Sequence, residues 1–278
     1  MMSRGPCIYI GGMYAVFPSS SNAEEGPSGL PDDRIVEAEP IREVPRAVFD
    51  TEKRRDTGQI FPTRFIPPRN SMHPMELFLG MRTIGNQTRY MHRYNSKAFL
   101  VFTDGACLNN GQLNPKAGWA FVYGPGLIYE PTPQIISDRL ENRGPFGDNS
   151  IQSSNRAELR AVIAALRFRH WPIEGFNTMT IATDSEYVVQ GSTKWAKAWS
   201  RYGWKTRGGT DVKNKDLWEM LLAEVERLYY YGLSVNFWRI PREWNQTADV
   251  AAKKAASENR LYYEWVDTRT IPFGRELY

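Results

Sequence analysis

The chain has 278 residues, of which 41% are apolar and 13% aromatic, and a formal net charge of +4, which suits one large domain with an extension. No stretch approaches the roughly 18 apolar residues of a membrane-spanning helix, so no membrane association is expected. Cys7 and Cys107 are too few and too far apart for a disulfide framework, which excludes the small disulfide-built secreted domains and points to an intracellular, reducing setting, with nucleus or cytoplasm left open.

Residues 1–95 read as an irregular N-terminal extension. Pro, Gly, Ser and acidic residues dominate 18–45, and neither helical nor strand periodicity persists. From 60 to 94, aromatics appear among prolines, as expected for extended chain or short helices packed on the surface of the next domain. A regular region then covers 96–260. Ala98–Thr103 is an apolar run ending in Asp-Gly, which predicts a buried strand followed by a turn. Gly118–Tyr123 alternates as its hairpin partner, and a third strand falls within Gln134–Leu140. Ser154 is placed to cap a helix whose apolar positions Leu159, Val162, Ile163 and Leu166 follow helical spacing. Thr178–Thr183 is a strand, Ser185–Gly191 a short helix, and Thr193–Arg201 and Lys215–Tyr231 further helices. Ser234–Ile240 is the fifth strand, Pro241 ends it, and Gln246–Asn259 is the last helix. The order predicts an α/β fold with a five-stranded mixed sheet flanked by helices, followed by a tail at 261–278.

Four acids occupy telling places in that order. Asp104 and Asp184 each follow an apolar run and a threonine, so parallel neighbouring strands would deliver both carboxylates to one sheet edge. Glu158 falls in the first turn of the intervening helix, where the helix dipole favours an anion, and Asp249 lies on the last helix. Carboxylates gathered this closely would repel one another and raise their pKa values unless divalent cations intervened. Oxygen-only ligands select Mg²⁺ or Mn²⁺ over Zn²⁺, and two such ions would suit in-line displacement at a phosphodiester. A second signal is charge. Between Lys194 and Lys215 lie seven Lys or Arg and one acid, Asp211, a local +6 that exceeds the net charge of the whole chain and fits an anionic polymer.

The segments TDGAC (103–107), SNRAEL (154–159), TDSEYV (183–188), GWKT (203–206), VKNKDLW (212–218) and NQTAD (245–249) together resemble the type 1 ribonuclease H family, in the family's order and spacing over about 98–256. The resemblance implies a ribonuclease H-like fold and an endonuclease that cuts the RNA strand of RNA–DNA hybrids, without strong sequence preference, leaving 5′-phosphate ends. It implies two Mg²⁺ ions, with Mn²⁺ able to substitute, held by Asp104, Glu158, Asp184 and Asp249, which match the family's metal-binding carboxylates. The basic segment matches the family's helical handle, in which Trp195, Trp199 and Lys205 are expected to meet the DNA strand, with Trp204 and Trp218 fixing the handle to the domain. Ser153 and Asn214 match positions that bind a DNA phosphate, and Asn110, Ser154 and Asn155 match positions beside the RNA. A monomer is expected. The alternative is a non-catalytic hybrid-binding protein on the same fold. One departure stands out: the run WRIPREWNQTAD (238–249) lacks the histidine that many members carry before the last helix, and His73, His92 and His170 do not match it. Arg242 and Glu243 are the residues nearest that place.

Overall fold

The computed structural model describes residues 52–83, 87–126 and 131–268, all within one compact unit that spans Phe49–Tyr278. The five expected strands are all present as β4 (Asn95–Leu108), β5 (Lys116–Gly124), β6 (Gln134–Arg139), β7 (Thr178–Thr183) and β8 (Ser234–Arg239). Helices α2 (Ser154–Arg167), α3 (Glu186–Gln190), α4 (Ala196–Arg201), α5 (Lys215–Tyr230) and α6 (Gln246–Ser257) follow the predicted order, with a π-helical turn, Gly191–Trp195, between α3 and α4.

The apolar run at the start of β4 is buried on both faces, as strands covered by helices on each side require. Side chains alternate. Phe99 and Val101 enter the larger core with α2 and α5, whereas Leu100 and Phe102 enter a second core with Ala248 of α6. Alanines let α6 lie close: Ala248, Ala252, Ala255 and Ala256 are buried, and a Cβ on Gly118 of β5 would meet Ala256 N at 2.3 Å.

The structure departs from the sequence expectation in three places. First, β4 does not turn at Asp104-Gly105; it continues to Leu108, pairing Asp104 with Ala120 and Gly105 with Trp119 of β5. Gly105 serves another purpose. A Cβ there would meet Glu158 N at 2.1 Å, so the missing side chain is what lets α2 cross the strand beside Asp104. Second, the N-cap of α2 is Ser153, whose Oγ accepts from Arg156 N at 3.4 Å; the helix starts at Ser154, and Glu158 is its fifth residue. Glu158 therefore sits one turn inside the helix, where the dipole contributes little.

Third, residues 60–94 are not a surface wrapping. Phe78–Arg82 (β2) and Thr88–His92 (β3) form an antiparallel hairpin that pairs with β4. Thr63–Arg64 (β1) adds a parallel strand beyond β8, and Pro74–Leu77 is a short helix, α1. The sheet among the described residues thus has eight strands, ordered β1-β8-β7-β4-β3-β2, with β5 and β6 branching from the far end of β4. Phe78 and Tyr90 fill the second core, which accounts for the aromatics in this segment. Residues 1–51 lie outside the described residues.

Past α6 the tail packs on the domain as far as Thr268. Asn142 N donates to Tyr262 O at 2.8 Å, and the Arg160 guanidinium lies between the rings of Trp119 and Trp265. No helix among the described residues is long and apolar enough to cross a membrane.

Candidate active site

Strands β4 and β7 are parallel and paired, with Phe102 opposite Ala182, so Asp104 and Asp184, each two residues on, emerge side by side at one edge. Helix α2 crosses Gly105 there and adds Glu158. One oxygen from each of Asp104, Glu158 and Asp184 lies within 4.8 Å of the other two.

The electrostatics of this group are unbalanced. Burial, followed by the charges of Asp184 and Asp249, pushes the Asp104 pKa up from 3.8 to about 8. Burial and the charges of Asp104 and Asp184 raise Glu158 well above the usual carboxylate range. Glu158 Oε2 is buried with no hydrogen-bond partner among the described residues. Asn245, buried at the start of α6, donates from its Nδ2 to Thr103 O and to Asp184 Oδ1, both at 3.0 Å. Asn245 was not among the expected site residues. Its signal in the sequence was its position four residues before Asp249, one helical turn away, at the head of NQTAD.

Asp249 lies on the rim of the same cavity, outside the cluster of three. Its carboxylate accepts from Arg242 Nη2 at 2.8 Å and Lys253 Nζ at 2.6 Å. Burial works against its charge, but these two cations outweigh burial and hold its pKa below the ordinary value. The cavity, about 390 Å³, is lined by all four acids together with Asn110, Ser154, Arg242 and Lys253. Glu243 is not in that lining, so Arg242 is the one of the pair that faces the site. Cys107 also lines it, with its thiol pKa raised by burial.

The other expected contact residues fall into two groups. Asn110 and Ser154 are joined at the cavity mouth, with Ser154 N donating to Asn110 Oδ1 and Asn110 Nδ2 to Ser154 Oγ, both at 3.3 Å; Asn155 is exposed beside them. Ser153 and Asn214 are both tied to Arg156, whose backbone N–H donates to Ser153 Oγ and whose Nη1 donates to Asn214 Oδ1 at 3.5 Å. A second cavity of about 720 Å³ is lined by Trp195, Trp199, Lys205, Lys194, Tyr202 and Arg207, so the basic segment presents cations and rings on one face. Trp195 is 40% exposed there, whereas Trp199 is half-buried against Trp204 and Trp218, which are themselves buried. Lys205 also pairs with Asp211 at 2.7 Å.

The RNase H family model matches residues 96–257. The ribonuclease H of Xanthomonas oryzae pv. oryzae is 34% identical over 173 residues, covering 59% of this chain and 95% of that protein. The ribonuclease H of Treponema pallidum subsp. pallidum is 38% identical over 132 residues, covering 47% of this chain and 75% of that protein. Ribonuclease H1 of Homo sapiens is 30% identical over 170 residues, covering 60% of this chain and 52% of that protein.

Proposed function

The chain belongs to the ribonuclease H family, and from that premise we propose that it is a metal-dependent endonuclease hydrolysing the RNA strand of RNA–DNA hybrids. The observation that carries the reading is the cluster of Asp104, Glu158 and Asp184, with one buried oxygen unpartnered and two carboxyls driven up in pKa. A fold retains such repulsion where an external cation relieves it. The donor set fits the group: the ligands are carboxylate oxygens, and neither histidine nor thiolate joins them, which favours Mg²⁺ or Mn²⁺. When bound, two such ions would supply the charge that activates a water and stabilises the leaving 3′ oxygen.

The chain's own residues do the rest. Asp104, Glu158 and Asp184 form the floor that holds the cations, and Asn245 fixes Asp184 in place through its Nδ2. Asp249, one helical turn from Asn245, is the fourth ligand, and Arg242 and Lys253 hold its charge at the rim. Asn110 and Ser154 set polar side chains at the mouth, where a 2′-hydroxyl marks the RNA strand. Ser153, Asn214 and the cavity of Trp195, Trp199 and Lys205 serve the DNA strand by phosphate and sugar contacts, which are indifferent to sequence.

The test is a cleavage panel: labelled RNA–DNA hybrid beside double-stranded RNA, double-stranded DNA and single-stranded RNA, with Mg²⁺, with Mn²⁺ and with chelator. Cleavage of the hybrid's RNA strand alone, abolished by chelator, is expected. Binding of the hybrid without cutting under any metal would replace the enzyme with a binding protein.

A further inference from the structure

The strand order brings a second cleft to the same edge as the carboxylates. Strands β4, β7, β8 and β1 are all mutually parallel neighbours, so their C-terminal ends face one way. Thr183, next to Asp184, pairs with Arg239 of β8, and Arg64 of β1 pairs with Phe237. The chain leaving β1 and the chain leaving β8 enclose a cleft of about 600 Å³ lined by Arg64, Phe65, Ile66, Asn70, Trp238 and Arg239, with Pro67, Ile240 and Pro241 completing it. No acid lines it. Arg64 is exposed and makes no ion pair among the described residues. Arg239 is 46% exposed and reaches Glu186 at 3.3 Å, an exposed pairing that a phosphate would compete with easily.

We propose that this cleft, half of it built by the segment before the family domain, holds a backbone phosphate and its sugar from the RNA strand as that strand leaves the carboxylate site. The proposal rests on the hybrid-cleaving reading and extends the enzyme's grip beyond the family domain. Position argues for this strand. Asn110 and Ser154 flank the carboxylates on the β4–β5 side, and the cleft flanks them on the β8–β1 side, so a strand crossing the carboxylates from one runs toward the other. Spacing argues for it too. Two steps across the sheet from β7 to β1 cover about 10 Å. A nucleic-acid strand with one phosphate per roughly 3.4 Å of axis spans that in two to three nucleotides. Chemistry agrees: two guanidinium groups suit a phosphate, and the apolar walls Phe65, Ile66 and Pro67 suit a sugar edge.

The support is rigid. The segment is anchored upstream where Thr57 N donates to Glu226 Oε2 at 3.0 Å and Arg55 pairs with Glu219. Downstream, Phe65 packs on Trp238 and His73 on Trp244. Arg64 is therefore presented from a fixed backbone next to the site.

Binding of the full chain to a labelled RNA–DNA hybrid, in chelator and across a salt series, tests this. The variant Arg64→Ala/Arg239→Ala is expected to bind about tenfold more weakly and to flatten the log K against log salt slope by about 0.9 for each lost phosphate contact. Arg64→Ala alone should show part of that change, and Arg64→Lys should restore the slope. A hybrid whose RNA strand carries one neutral methylphosphonate two or three nucleotides from the cut, placed in turn on each side, should bind the parent more weakly on one side and leave the double variant's affinity unchanged. An unchanged salt slope in a double variant that melts like the parent, or equal methylphosphonate sensitivity in both proteins, overturns the proposal. Continued hybrid cleavage by the parent in that case leaves the enzyme reading standing; a parent that cuts no hybrid removes the premise instead.

Discussion

Helix α2 carries buried charge on two sides and treats them in opposite ways. Along one stripe Arg156, Arg160 and Arg167 are buried and paired. Arg156 grips Asp216 through two hydrogen bonds of 2.9 and 2.6 Å, Arg160 grips Glu141 at 2.8–3.1 Å, and Arg167 meets Glu224 and Asp267. Glu158 sits two residues from both Arg156 and Arg160, yet neither reaches it, because residues two apart point to nearly opposite sides of a helix. It faces Asp104 and Asp184 instead, with one oxygen unpartnered. The paired stripe fastens α2 to α5 and to the tail. The unpaired side spends stability on keeping a place for cations. Buried charge by itself does not mark function; buried charge that the protein declines to neutralise does.

Four measurements would sharpen or break that contrast. The largest effect is expected from Asp184→Asn, which removes one charge from the unpaired side: hybrid cleavage should fall on the order of 10³-fold or more, with the metal-free protein melting no lower than the parent. Undiminished cleavage would sink the proposed mechanism. On the paired side, Glu141→Ala strands Arg160 in the interior and should cost about 3–5 kcal/mol, lowering Tm by roughly 10 °C, measured by thermal unfolding with metal absent. A smaller loss there would mean that the rings of Trp119 and Trp265 and the Val266 carbonyl, rather than the carboxylate, hold Arg160.

Next in size is the response to Mg²⁺. At a fixed concentration about 100 times the parent's dissociation constant at neutral pH, the ion should stabilise the parent by about 2.7 kcal/mol and Asp184→Asn by much less. The gain should depend on pH. Asp104 in the fold has a pKa of about 8, above its ordinary 3.8, so the folded state keeps a proton that the unfolded chain releases. The metal-free protein therefore loses this contribution as pH rises from about 4 to 8, and the stabilisation by Mg²⁺ grows over the same interval. A metal-induced shift in Tm that is flat across those pH values would contradict the placement of the cations on Asp104. The smallest effect belongs to Arg143→Ala. Its pair with Glu264 is 2.9 Å long, but both partners are exposed, so the change should stay within about 0.5 kcal/mol.

Much of the molecule was legible in the residue pattern. Periodicity located the five strands and the major helices from β4 onward, because each of those segments buries its own apolar face and the spacing records it. The four acids stood out for the same reason: each adjoins an apolar run that ties it to a strand end or helix. Tertiary structure decided the rest. Gly105 reads as a turn glycine until the approach of α2 is known, because a close crossing leaves no periodic trace. The eight-stranded sheet was hidden because β1 is two residues long with its partner β8 far along the chain, and the five-residue strands β2 and β3 mix polar and apolar residues without a clear period. The division of the acids into a cluster of three and a rim residue held by Arg242 and Lys253 follows from distances that sequence spacing does not encode. The residue order thus sets which side chains this protein brings to its site. Only the folded chain decided which of their charges are neutralised, since that depends on what the packing of α2, α6 and the N-terminal segment sets beside each one.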